Sequence, residues 1–83
     1  MTHNKVEVDL KRLKAERIAK DYTQEYMASQ MGYKNRASYA KRENGQIPLG
    51  ANELAKIGDI LGYSTDQLSI FFKIIVPNKE QPA

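Results

Sequence analysis

Apolar residues recur at helical spacing in five stretches of this chain, and residues that cap or stop helices bound them. Leu10, Leu13 and Ile18, with Arg17 on the same face, predict a first helix over about 9–20 capped by Asp9. Thr23 opens a second helix, because its hydroxyl accepts from an otherwise unpaired amide of the first turn. Met27, Ala28 and Met31 form that helix's apolar stripe, the Glu25 carboxylate suits its positive end, and Gly32 stops it. Asn35 caps a third helix carrying Arg36 to Glu43, which Asn44-Gly45 ends. Only Ala37, Tyr39 and Ala40 are apolar there, so most of its surface faces solvent or a partner.

After the Gln46–Gly50 loop, a fourth helix over about 51–61 buries Ala51, Leu54, Ile57, Gly58 and Leu61. Gly58 inside it costs up to about 1 kcal/mol relative to alanine, which a close helix crossing would explain. Ser64 and Gln67 read as a capping box for a fifth helix over about 65–72, with Leu68 and one of Phe71 or Phe72 inward. Residues 1–8 read as a flexible arm, the alternation of Val6 and Val8 being weak evidence for a strand. Ile74-Ile75-Val76 is β-branched and suited to extended backbone, within a tail over 73–83. The expected fold is therefore all-α: five short helices over 9–72 and a short extended C-terminal tail.

Composition narrows the function. The 83 residues make one domain with a small core, burying about 60% of the unfolded surface. Cysteine is absent, which removes disulfides and thiolate metal sites and fits a reducing cytoplasm. No apolar run approaches the roughly 18 residues of a membrane span, and the first residues lack a signal-peptide segment. The only histidine, His3, lies in the terminal arm, and no Gly-rich phosphate loop exists, so no enzyme, metal site or cofactor is expected. The net charge of +3 is mild, but its distribution is uneven. Residues 33–45 carry a local +3 from Lys34, Arg36, Lys41 and Arg42 against Glu43, whereas 50–72 carry a local −2. A basic face beside a more acidic one suits a nucleic-acid binder.

The pattern Thr-Gln-Glu-x-x-Ala at 23–28, Gly32, Ser38-Tyr39-x-Lys41 and Glu43-Asn44-Gly45 resembles the helix-turn-helix of the phage Cro and CI repressors, the Xre family, over roughly 10–72. The resemblance implies a lambda-repressor-like domain that binds operator DNA. From Gly32 to Glu43 the chain has one residue more than the family's commonest spacing, which leaves the start of the recognition helix open by one position. Anchored on Glu43-Asn44-Gly45, the family's base-reading positions fall on Arg36, Ala37 and Lys41, with Ser38 beside them. The longer turn adds Lys34 and Asn35. Arginine donates two parallel hydrogen bonds to guanine, and an alanine methyl meets the thymine methyl. Gln24, at a helix N-terminus, is expected to donate its amide to a phosphate. Asn44 and Gln46 resemble the family's second backbone-contact segment, and Thr23, Tyr33 and Arg42 complete the expected phosphate set. The resemblance also pairs Arg17 with Glu43 as a structural tie between the first and recognition helices.

Six of the seven residues from 70 to 76 are apolar. Consecutive Phe71 and Phe72 cannot share one stripe, so an exposed patch of Ile70, Phe71, Phe72, Ile74, Ile75 and Val76 is expected to pair two copies. The isoleucine–valine run offers a strand across the two-fold axis. The resulting expectation is a homodimeric transcriptional repressor on a double-stranded, palindromic operator, in the cytoplasm, with no membrane or small-molecule partner. The alternatives are an antitoxin on the same fold and a protein-interaction module that has lost DNA binding.

Overall fold

In the computed structural model, residues 5–75 are described. They form β1 (Lys5–Val8), α1 (Leu10–Ala19), α2 (Gln24–Met31), α3 (Arg36–Glu43), α4 (Ala51–Ile60), a 3₁₀ helix (Thr65–Phe71) and β2 (Phe72–Ile75). His3 and Val76 lie outside the described residues. Each cap expected at an α-helix start with a side chain to offer is formed. Asp9 Oδ1 accepts from the Arg12 amide at 3.1 Å, Thr23 Oγ1 from Tyr26 at 2.9 Å and Asn35 Oδ1 from Ser38 at 3.0 Å. Before α4 stands Gly50, and Glu53 Oε1 reaches back to its amide at 3.1 Å. Of the box at Ser64 the reciprocal half is present, Gln67 Oε1 accepting from the Ser64 amide at 2.9 Å. Gly32 ends α2 at φ +81°, the left-handed turn that other residues adopt at a cost.

The core gathers Leu13, Met27, Ala28, Met31, Tyr39, Leu54, Ile57, Leu61 and Phe71. Three expected core positions lie outside it, the first being Leu10, half-buried at the start of α1. Ile18 is 53% exposed, and Arg17 is buried on that face instead. The reason is angular: Arg17 follows Leu13 by four residues and stays on its stripe, whereas Ile18 is rotated a further ~100°. Ala51 is also exposed, being the first residue of α4. Gly58 meets Leu68 of the 3₁₀ helix so closely that an added Cβ would strike Leu68 Cδ2. The glycine therefore permits the close crossing of α4 and the terminal segment.

The largest departures concern the two ends of the described chain. The fifth helix is 3₁₀ rather than α, and the chain becomes extended already at Phe72. Phe71, expected at an interface, is fully buried, its ring edge-on to Tyr63 at 5.4 Å. Residues 5–8, expected within a flexible arm, form a strand antiparallel to β2. The register pairs Lys5 with Ile75, Val6 with Ile74, Glu7 with Lys73 and Val8 with Phe72. The backbone groups of β2, expected to seek a partner across a two-fold axis, thus find one within the same chain. The Asp9 amide donates to the Phe71 carbonyl at 2.6 Å, bringing the two strands together at their inner end.

Gly58→Val should destabilise the domain by about 1–3 kcal/mol, because its methyls overpack the contact with Leu68. Gly32→Ala meets nothing within 4 Å and should show only the backbone cost of a left-handed residue, roughly 1–2 kcal/mol. Urea titration of both variants checks this; a Gly58→Val midpoint equal to wild type would refute the tight crossing.

Candidate nucleic-acid interface

The α3 helix lies against the body through Tyr39 and Glu43, which are 0% and 5% exposed. On a 3.6-residue period, Ala37, Lys41 and Asn44 then fall on the opposite, outward face. All three are exposed, as are Lys34, Asn35 and Arg36 at the α3 start. Ser38 is half-buried, and its hydroxyl donates to Asn35 Oδ1 at 3.1 Å. Asn35 therefore works as the helix cap, its carbonyl oxygen taken by the Ser38 amide and hydroxyl. Arg36 precedes Glu43 by seven residues and so lies on that side of α3 rather than on the outward line; it is exposed at the helix start, and its Nη1 donates to Gln24 Oε1 at 2.9 Å.

A buried ionic cluster holds α3 at this angle. Arg17 Nε donates to Glu43 Oε2 at 2.7 Å and Nη2 to Oε1 at 3.0 Å, a two-pronged pair between α1 and α3. The Tyr39 hydroxyl donates to Oε2 at 2.8 Å and Gln24 Nε2 to Oε1 at 2.9 Å, so the carboxylate receives four hydrogen bonds. Arg17 Nη1 also donates to the Tyr22 carbonyl at 2.7 Å. Burial pushes the Glu43 pKa up, but the donors from Arg17, Tyr39 and Gln24 outweigh it and hold the carboxyl below its ordinary 4.5. Burial and the adjacent Glu43 carboxylate push the Tyr39 phenol well above its usual value, so it remains a donor.

A second cluster fastens the far side of α3 to α4. Arg42 Nε donates to Glu53 Oε2 at 2.9 Å, and Arg42 Nη1 donates to the Ser38 carbonyl at 2.6 Å. The guanidinium sits 4.4 Å from the centre of the Tyr33 ring, whose hydroxyl donates to Glu53 at 2.6 Å. Desolvation and that carboxylate push the Tyr33 pKa up to about 12.

These contacts give three expected phosphate ligands partners inside the fold. Gln24 gives its amide nitrogen to Glu43, while Arg42 and Tyr33 turn toward Glu53 and join helices. Such roles depend on which carboxylate the fold brings near, which residue type alone does not reveal. Thr23, Asn44 and Gln46 remain exposed, the first as the α2 cap and the second accepting from the Gln46 amide at 3.1 Å. Of the expected pairing surface, Phe72, Ile74 and Ile75 are 41%, 63% and 38% exposed, Ile70 is half-buried and Phe71 is inside. Sequence reasoning passed over Lys11 and Lys14. Both are exposed on α1 and line a cleft with Arg36 and Ala40 of α3 and with Asn44, which caps that helix. Their three-residue spacing was the available signal.

A glycine-stopped helix, a tight turn and a second helix with an exposed basic face define a lambda-repressor-like DNA-binding domain. A family model described as helix-turn-helix matches residues 13–68, and the chain belongs to that family. No curated protein and no solved structure gives a match. The family makes the chain a DNA-binding transcriptional regulator. No helix among the described residues is long and apolar enough to cross a membrane.

The lowered Glu43 pKa sets the sign of an acid effect. Its contribution to stability is fully present above 4.5 and is lost as pH falls through the depressed native value. Glu43→Gln should therefore lower Tm at pH 7 and flatten the loss of Tm below about pH 4.5. Glu43→Ala should cost about 3–5 kcal/mol by leaving Arg17 buried without its partner. Adding Arg17→Ala should cost less than the two single losses combined, a coupling that a double-mutant cycle measures.

Proposed function

We propose that this regulator binds a palindromic operator as a homodimer in the cytoplasm and represses by occluding a promoter. The observation that supports it best is the exposed α3 face carrying Ala37 and Lys41, with Arg36 at its start, backed by two carboxylate clusters that hold the helix rigidly. In this reading α3 enters the major groove, Arg36 and Lys41 read base edges, and Ala37 packs against a thymine methyl. Lys34, Asn35 and Ser38 border the same contact. Thr23, Asn44 and Gln46 meet phosphates at the two ends of the motif, fixing the register of α3 without reading sequence.

A single recognition helix reaches only a few base pairs, so specificity calls for two copies on half-sites about 34–36 Å apart. The β1–β2 ribbon suits the pairing. Its register places Val6, Val8, Phe72 and Ile74 on one face, and Val6 and Ile74 are 61% and 63% exposed. Covering such a face removes apolar surface from water, worth about 25 cal/mol per Å². An antitoxin would use the same DNA-binding surface and cover the ribbon with a toxin instead.

Selection of bound sequences from a random duplex pool tests recognition and half-site spacing together; recovery of unrelated sequences would rule out specific binding. On the selected operator, Arg36→Ala should cost about 1–3 kcal/mol and relax preference at one base position. Affinity should fall by orders of magnitude between about 50 and 200 mM salt if roughly 6–10 phosphates are engaged. Ile74→Glu, at an exposed position, should leave the monomer folded, shift sedimentation from dimer to monomer and weaken operator binding. A variant that stays dimeric would remove the ribbon face from the interface.

A further inference from the structure

We propose that the cleft between α1 and α3 is a second DNA contact, in which Lys11 and Lys14 grip the phosphodiester strand bordering the groove that α3 enters. The inference rests on the DNA-binding reading above and adds a surface to it. The cleft encloses about 480 Å³, with Lys11 and Lys14 on one wall and Arg36, Ala40 and Asn44 on the other. Glu43 is the one acid lining it, 5% exposed and already paired with Arg17. The two α1 arginines are likewise engaged, Arg12 with Glu16 and Arg17 with Glu43. Lys11 and Lys14 take part in no ion pair among the described residues. Two lysines thus face an arginine across an open cleft whose acid is neutralised. Their mutual repulsion is relieved when an anion lies between them.

Position makes that anion a DNA backbone. The outward line of α3 runs through Ala37 and Lys41, and the cleft flanks it on the α1 side. When that line points into a major groove about 12 Å wide, the strand at the groove's edge lies beside the helix, where the cleft opens. Arg36 to Asn44 is eight residue steps, about 12 Å along the helix axis, so the cleft follows the strand over a stretch rather than marking one point. The lysines are therefore positioned for affinity and register, and bases are read on the neighbouring face.

The test measures binding of the full chain to its selected operator and to an unrelated duplex, across a salt series. Lys11→Ala and Lys14→Ala should each reduce the slope of log affinity against log salt by about 0.9, and the double variant by about twice that. Both duplexes should weaken by similar factors, with base preference retained. Lys56→Ala, an exposed lysine on α4 outside the cleft, should leave the slope unchanged. Unchanged slopes for the cleft variants, alongside a wild type that binds with normal salt dependence, overturn the cleft contact and leave the DNA-binding reading intact. An equal reduction in Lys56→Ala overturns it too, because the effect would then follow overall charge. A wild type that binds neither duplex overturns both readings.

Discussion

The structure depends first on the Arg17–Glu43 pair. A carboxylate that is 5% exposed is tolerated only when its lone pairs are filled, and Glu43 fills them from three elements. Arg17 supplies two donors from α1, Gln24 one from the start of α2, and Tyr39 one from α3 itself. Rotating α3 by even a fraction of a turn would strand at least one of these buried groups. The pair is thus better understood as a geometric constraint than as a source of net stability, since desolvation offsets much of the attraction between buried charges.

A second carboxylate completes the constraint. Glu53 receives Arg42 and Tyr33, so the other side of α3 is tied to α4 while Glu43 ties it to α1 and α2. Between the two ties the outward line of α3 is left without internal partners. A helix presented in this way keeps its outward face fixed before any partner arrives, which lowers the ordering cost of binding. The same arrangement gives several polar side chains near the surface a structural role: Gln24, Tyr33 and Arg42 maintain the platform.

The ribbon obeys a different logic. Two four-residue strands pair with each other and use backbone groups that an isolated β2 would leave unpaired. An antiparallel pair puts directly opposed residues on the same side, so the matched alternation of Val6 and Val8 with Ile74 and Phe72 makes one face wholly apolar. Val8 packs against the core at the inner end of the ribbon, while Val6 and Ile74 farther out stay exposed among the described residues.

Local chemistry determined much of this protein. Caps at Asp9, Thr23 and Asn35, the stop at Gly32 and the stripe Met27–Ala28–Met31 act within a turn or two of chain, so their outcome is legible in order along the sequence. The same locality made the helix-turn-helix and its basic second helix recognisable, and the bounds of α3 with them. Apart from the Arg17–Glu43 pair, which the family resemblance implied, the contacts between residues distant in sequence required the tertiary structure. The β1–β2 pairing joins residues some seventy positions apart, which a two-valine alternation does not announce. The choice of Phe71 over Phe72 for the core turned on where a 3₁₀ segment gives way to a strand. The employment of Gln24 and Arg42 inside the fold depended on which carboxylates came within 3 Å of them. The cleft that gathers Lys11 and Lys14 with Arg36 exists only because α1 and α3 pack side by side, and no span of the chain short enough to be read as a motif contains it.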